Sequence, residues 1–168
     1  MRDSAYMIKY TLLVIAQILI LNYCNFSQLV SLTLLPTLII SLPTRHSTLF
    51  AMILAFITGF VVDFTAGGLI GLNMAALVPV AFFRIVIVRI VFGEELLARG
   101  DNVSLNRLGP VKIVFSNILA TALFLVVYVW ADGAGTHPLW MDFTRFGCSL
   151  LASAVLSFFV SMILDPEN

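Results

Sequence analysis

Residues Thr48 to Asn73 read TLFAMILAFITGFVVDFTAGGLIGLN: an apolar run, one carboxylate near its end, a glycine-rich break, and the start of a second apolar run. Ala51, Ala55, Gly59 and Asp63 recur at every fourth residue, so a helix places them on one face. Small residues at this spacing let another backbone approach closely, a main source of helix association in lipid. After the break, Gly67, Gly71 and Ala75 repeat the spacing. Two helices packed face to face around Ala66-Gly67-Gly68 satisfy both ridges. The pattern admits two uses, packing within the chain or a face kept for another protein.

An acidic side chain inside a span is costly and usually faces the bundle interior or a polar cavity. Asp63 lies near the end of its run, beside the first backbone N–H groups of the following helix. Those groups carry partial positive charge and suit a carboxylate, and Asn73 is placed to donate as well. Asp63 is thus expected to clip the hairpin or to reach water from the helix end. A proton or ion site is the third reading, without any intramembrane carboxylate to act as relay partner.

Working outward, the chain has 168 residues, of which 61% are hydrophobic and 11% charged. Water-soluble domains hold about 45 to 50% apolar and about 25% charged residues, so the expected solvent is lipid. Six apolar stretches, 6–23, 25–42, 48–65, 69–92, 111–131 and 143–164, predict an all-α, six-helix integral membrane bundle in a single domain. The second is the weakest: Asn25, Ser27 and Gln28 open it, Pro36 interrupts it, and a re-entrant segment is the competing reading. The first is expected to remain as an anchor, because no small-residue cleavage site follows it.

Charge asymmetry decides between the two topologies. Six spans with the N-terminus inside put Arg2, Lys9, Arg45, Arg89, Arg99, Arg107 and Lys112 in the cytoplasm and only Arg145 outside. Five spans would move most of these cations outward. The expectation is therefore a multi-pass protein of the bacterial cytoplasmic membrane with both termini in the cytoplasm.

Nine Lys and Arg against nine Asp and Glu give zero net charge, with no basic run for nucleic acid. Cys24 and Cys148 lack metal or redox spacing, and His46 and His137 fall on opposite sides of the membrane. No cofactor and no metal are expected. Ser149, Ser153 and Ser157, continued by Ser161, form a stripe able to bond back to its own helix and pack closely, without the His and acid a hydrolase needs. Arg84, about 20 Å from Asp63 along the bundle, is expected to extend to the inner headgroups; the alternative is an inward turn toward a partner or a lipid phosphate.

Leu42-Pro43-Thr44-Arg45, Gly59-Phe60-Val61-Val62-Asp63 and Gly67-Gly68-Leu69-Ile70-Gly71-Leu72-Asn73, in that order, resemble the MreD family of rod shape-determining membrane proteins. Leu69 departs from the family, standing where many members carry Pro. The resemblance covers roughly Pro36 to Arg84, with hydropathy alone agreeing elsewhere. It implies a fold similar to the substrate-binding subunits of energy-coupling-factor transporters. It also implies a non-enzymatic scaffold of cell elongation, partnered with MreC and linked to MreB, to RodA and to RodA's penicillin-binding protein. MreC's span is expected on the small-residue ridges, which a second copy of the chain would also fit. A vitamin-binding subunit of such a transporter is the rival, with Trp140, His137 and Asp142 as its ligand-facing groups.

Overall fold

The computed structural model describes residues 2–23, 32–44, 46–66, 70–94, 109–133 and 139–164. Its helices are α1 (Arg2–Tyr23), α2 (Leu35–Ile40), α3 (Thr48–Ala66), α4 (Leu72–Phe92), α5 (Pro110–Gly133) and α6 (Leu139–Leu164). Five of them, all but α2, are long and apolar enough to cross a membrane. The chain is an all-helical, multi-pass membrane protein.

Sidedness in α3 shows what solvent the fold is built for. Ala51, Ala55 and Val62 are fully enclosed, while Phe56, Ile57, Phe60 and Phe64 point outward and stay at least 46% exposed. Small residues inside and large apolar ones outside invert the water-soluble pattern. In lipid this arrangement costs nothing, since acyl chains solvate Phe and Ile while the small face permits backbone contact.

Hydrogen bonds set the directions of the helices. The Tyr10 hydroxyl lies 2.9 Å from Thr58 Oγ1, and Asn22 Nδ2 donates to Thr65 O at 3.4 Å, so α1 and α3 run side by side in the same direction. The connection between them therefore has to bring the chain back to the starting end. Its described part, Leu32 to Thr44, runs through the middle of the bundle, with Leu35, Leu38, Ile39, Ile40 and Leu42 fully enclosed. Thr33 N donates to Ser153 Oγ at 3.2 Å and Thr37 Oγ1 to Ser157 Oγ at 2.9 Å, so this return segment runs parallel to α6. α5 and α6 are antiparallel, tied by Arg145 to Asp132 at 2.8 Å near one end and by Asn117 Nδ2 to Ser161 Oγ at 2.7 Å near the other.

The second apolar stretch thus departs from the expected continuous helix. Only Leu35–Ile40 is helical among the described residues of 25–42, and residues 25–31 lie outside them. At 1.5 Å per residue a six-residue helix covers about 9 Å, with Leu32 to Leu34 non-helical before it. Pro36 explains the start. It suits the first turn of a helix, where its missing N–H is not needed, but cannot continue one from upstream. The other spans match their expected positions closely. Gly67, Gly68 and most of the connector 93–110 lie outside the described residues.

Candidate functional site

The α3–α4 hairpin is organised around Asp63, which is 3% exposed. Oδ1 accepts from Asn73 N at 3.1 Å and Asn73 Nδ2 at 2.8 Å; Oδ2 accepts from Gly71 N at 2.9 Å and Met74 N at 3.2 Å. Gly71 is the residue before α4, and it has no side chain with which to cap the helix. Asp63 performs that task from the preceding helix, accepting orphan N–H groups and opposing the positive end of the dipole. Each carboxylate oxygen holds two donors, filling the roughly four acceptor positions of the group. Little capacity remains for an ion or a proton in transit.

Gly59 supplies the closest approach. A Cβ there would fall 2.5 Å from Met74 Cα and 2.8 Å from Met74 N, backbone atoms that cannot move aside singly. At Gly71 the requirement differs. Its φ of +102° lies in the left-handed region that glycine favours, while the nearest atom to an added Cβ is the end of the flexible Met74 side chain at 3.9 Å.

Two expectations are corrected here. Arg84 does not extend to the headgroups: it is 1% exposed and donates through Nη2 to Leu42 O. The reason is geometric, because the return segment passes beside α4 and offers carbonyls at the end of α2, where a cation is favourable. The small-residue ridges are also not free docking faces. Ala51, Ala55, Ser149 and Ser153 are fully enclosed, Ser157 is 1% exposed, and Gly59 packs on Met74. Their partners are the chain's own helices.

The serine stripe forms a hydrogen-bonded seam. Ser157 donates to Ser153 O at 2.6 Å and Ser161 to Ser157 O at 2.9 Å, while their hydroxyl oxygens accept from Thr37 and Asn117. This arrangement ties three elements together inside the bundle, with Asn117 Oδ1 left as a buried acceptor without a hydrogen-bond partner.

Gln17 is the residue that sequence reasoning missed. It is 1% exposed, and its amide serves the non-helical part of the return segment in both senses: Nε2 donates to Leu32 O at 3.1 Å, and Oε1 accepts from Leu34 N at 2.7 Å. Irregular backbone at membrane depth is tolerated only when enclosed and satisfied in this way. The available signal was a lone amide in the apolar run Thr11 to Leu21. Tyr6 adds to the brace, donating to Leu38 O at 3.4 Å.

Arg145, the lone cation assigned to the outer side, pairs with Asp132 at 2.8 Å with both side chains partly enclosed. Near the start of α5, Pro110, Val111, Val114, Phe115 and Ile118 line an open groove of about 370 Å³, apolar throughout. Among the described residues no three His, Cys, Asp or Glu side chains come together as metal ligands. The chain matches no protein-family model, no curated protein and no solved structure.

Proposed function

We propose that this protein is a non-enzymatic scaffold of the bacterial cell-elongation machinery, of the MreD kind. In this reading it crosses the cytoplasmic membrane six times, the return segment serving as the second crossing, with both termini in the cytoplasm. It binds MreC within the membrane and helps couple the MreB cytoskeleton to peptidoglycan synthesis by RodA and its penicillin-binding protein. One observation carries the reading: the polar side chains that join the helices bond within the bundle, although Thr33 Oγ1, Arg84 Nε, Asn117 Oδ1, Thr121 Oγ1 and Arg145 Nε are buried without a hydrogen-bond partner. Asp63, Gln17, Thr37, Ser153, Ser157 and Asn117 all hydrogen-bond to other helices or to the return segment, which suits a rigid contact platform better than a ligand chamber. Gly59, Asp63, Gly71 and Asn73, which carry part of the family resemblance, also meet in one braced hairpin, latched by Asp63 at one end, while Arg84 of α4 holds Leu42 toward the other.

Because the ridges are used internally, MreC meets the outer, lipid-facing surfaces of the long helices. The test is co-purification of full-length protein and MreC from membranes in mild detergent, beside a cell-width assay in a rod-shaped host lacking its own scaffold. Recovery of the pair and restoration of width are expected. Failure of two folded partners to associate would overturn the reading, and tight vitamin binding by the purified chain would replace it with a transporter subunit. A reporter fused after Asn168 that works only outside the membrane would reject the proposed topology.

A further inference from the structure

Six side chains of this protein carry a phenol or an indole: Tyr6, Tyr10, Tyr23, Tyr128, Trp130 and Trp140. Three turn toward the bundle, where Tyr6 donates to Leu38 O, Tyr10 lies against Thr58, and Tyr128 stacks on Phe124 at 5.6 Å. Tyr23, Trp130 and Trp140 stand outside it, 69% to 83% exposed. These three share one end of the molecule. α1 and α3 both finish there, as the bond from Asn22 to Thr65 shows. Gln17 meets Leu32 and Leu34 while Tyr6 meets Leu38, so the return segment runs against α1; α6 runs parallel to that segment and therefore starts where α1 ends. α5, antiparallel to α6, finishes beside that start. The exposed rings of Phe64 and Phe143 lie at the same end. The opposite end presents exposed charge instead, in Arg89, Glu94 and Lys112.

An indole or phenol deep in hydrocarbon leaves its N–H or O–H unpaired, and in water its ring loses apolar cover; the membrane–water boundary meets both needs, so such side chains collect there. The ion pair of Asp132 with Arg145 gives the depth, because it sets α5 and α6 level with each other. At 1.5 Å per residue, Trp130 lies about 3 Å inward of the pair and Trp140 about 8 Å outward, so the two indoles stand about 10 Å apart along the bundle. The headgroup layer on each side of a bilayer is about 5 to 7 Å deep. We propose that this end of the bundle seats in the headgroup layer of a phospholipid bilayer, with the Trp130 indole at the edge of the acyl chains and the Trp140 indole donating to headgroup oxygens near the water boundary. The occupant is lipid, because the exposed rings are spread over α1, α3, α5 and α6 rather than gathered on one face, and on α3 they continue the outward row of Phe56, Phe60 and Phe64. The proposal fixes depth, holds for either orientation of the chain in the membrane, and does not rest on the scaffold reading.

Trp130 and Trp140 are the only tryptophans of the chain, which makes the depth directly measurable. Trp140→Phe leaves Trp130 as the sole indole, and Trp130→Phe leaves Trp140. Each full-length variant is reconstituted into vesicles of phosphatidylcholine and phosphatidylglycerol, and quenching of its emission is read with lipid brominated near the glycerol, with lipid brominated near the acyl terminus, and with aqueous acrylamide. Trp130 should be quenched about twofold more by the shallow than by the deep bromines, and Trp140 should be about twofold more accessible to acrylamide than Trp130, as a depth difference of about 10 Å requires. If either variant does not fold, the unaltered protein must show the same shallow preference with part of its emission open to acrylamide. Deep bromines as effective as shallow ones would place this end in hydrocarbon. Emission untouched by any bromine would place it in water or, with acrylamide excluded too, beneath a protein partner. Equal acrylamide access for the two indoles would remove the depth order. Each of these results would overturn the proposal.

Discussion

The α3–α4 hairpin and the return segment Leu32 to Thr44 solve the same problem by different means. Both must place backbone polar groups inside a bundle surrounded by lipid. In the hairpin, two regular helices satisfy nearly all of these groups themselves, and Asp63 takes the exposed start of α4 from 8 to 11 residues away. In the return segment the backbone is partly non-helical, and side chains from three other helices complete it: Gln17 of α1, Arg84 of α4 and Ser153 of α6, the last 120 residues distant. Short-range pairing leaves a repeating pattern in the sequence. Long-range bracing leaves single polar residues whose partners cannot be named until the helices are assembled.

The comparison is most sharply tested at Gly59. Gly59→Leu should prevent assembly, at a cost above about 3 kcal/mol, because overpacking against backbone leaves no side chain free to yield. Recovery of monodisperse protein in detergent should fall to background. Gly71→Ala should be tolerated better, since its cost is the left-handed conformation alone, about 1–2 kcal/mol. Similar yields from Gly59→Leu and the unaltered chain would mean that the hairpin does not depend on close contact.

Asp63→Leu comes next. It strands four donors and should lower stability by about 3 kcal/mol, whereas Asp63→Asn keeps one carbonyl acceptor and should lose about half as much. Unfolding by steric trapping or denaturing detergent measures both. Equal losses would show that the carboxylate caps nothing in the membrane.

For the return segment, Gln17→Leu removes the partners of Leu32 O and Leu34 N together, with an expected loss of about 2 kcal/mol. A cysteine placed at Leu32 should become more reactive toward a membrane-permeant thiol reagent in that background. Unchanged reactivity would shift credit for the brace from Gln17 to Ser153. The smallest effect is expected from Ser157→Ala, about 0.6 kcal/mol, the usual size of an interhelical hydrogen bond in lipid. A double-mutant cycle with Thr37→Val should recover most of it as coupling, and zero coupling would indicate that the seam only fills space.

Much of the hairpin was legible in the sequence. Four-residue spacing fixed which face of α3 turns inward, and the position of Asp63 relative to Gly71 and Asn73 follows from helix geometry plus a short turn. The reason for glycine at position 71 was not legible: overpacking and backbone conformation both call for glycine, and only the φ value separates them. Arg84 was misread because a long cationic side chain near the end of a span ordinarily has headgroups within reach. Here a carbonyl of the return segment was nearer. The ridges admitted both packing within the chain and a docking face, and the structure shows the first: spacing identifies a face that accepts a close neighbour without saying which helix the neighbour belongs to.

By itself, the sequence determined the solvent, the positions of five spans and the inward face of the central hairpin. These depend on composition and on periodicity along one helix, both local quantities. Tertiary structure alone decided that the second apolar stretch is a short helix with a non-helical lead-in, that Gln17 and Ser153 complete its backbone, and that Arg84 is drawn inward. Those outcomes depend on which helix lies beside which, and a buried polar group takes whatever partner the finished packing brings within reach.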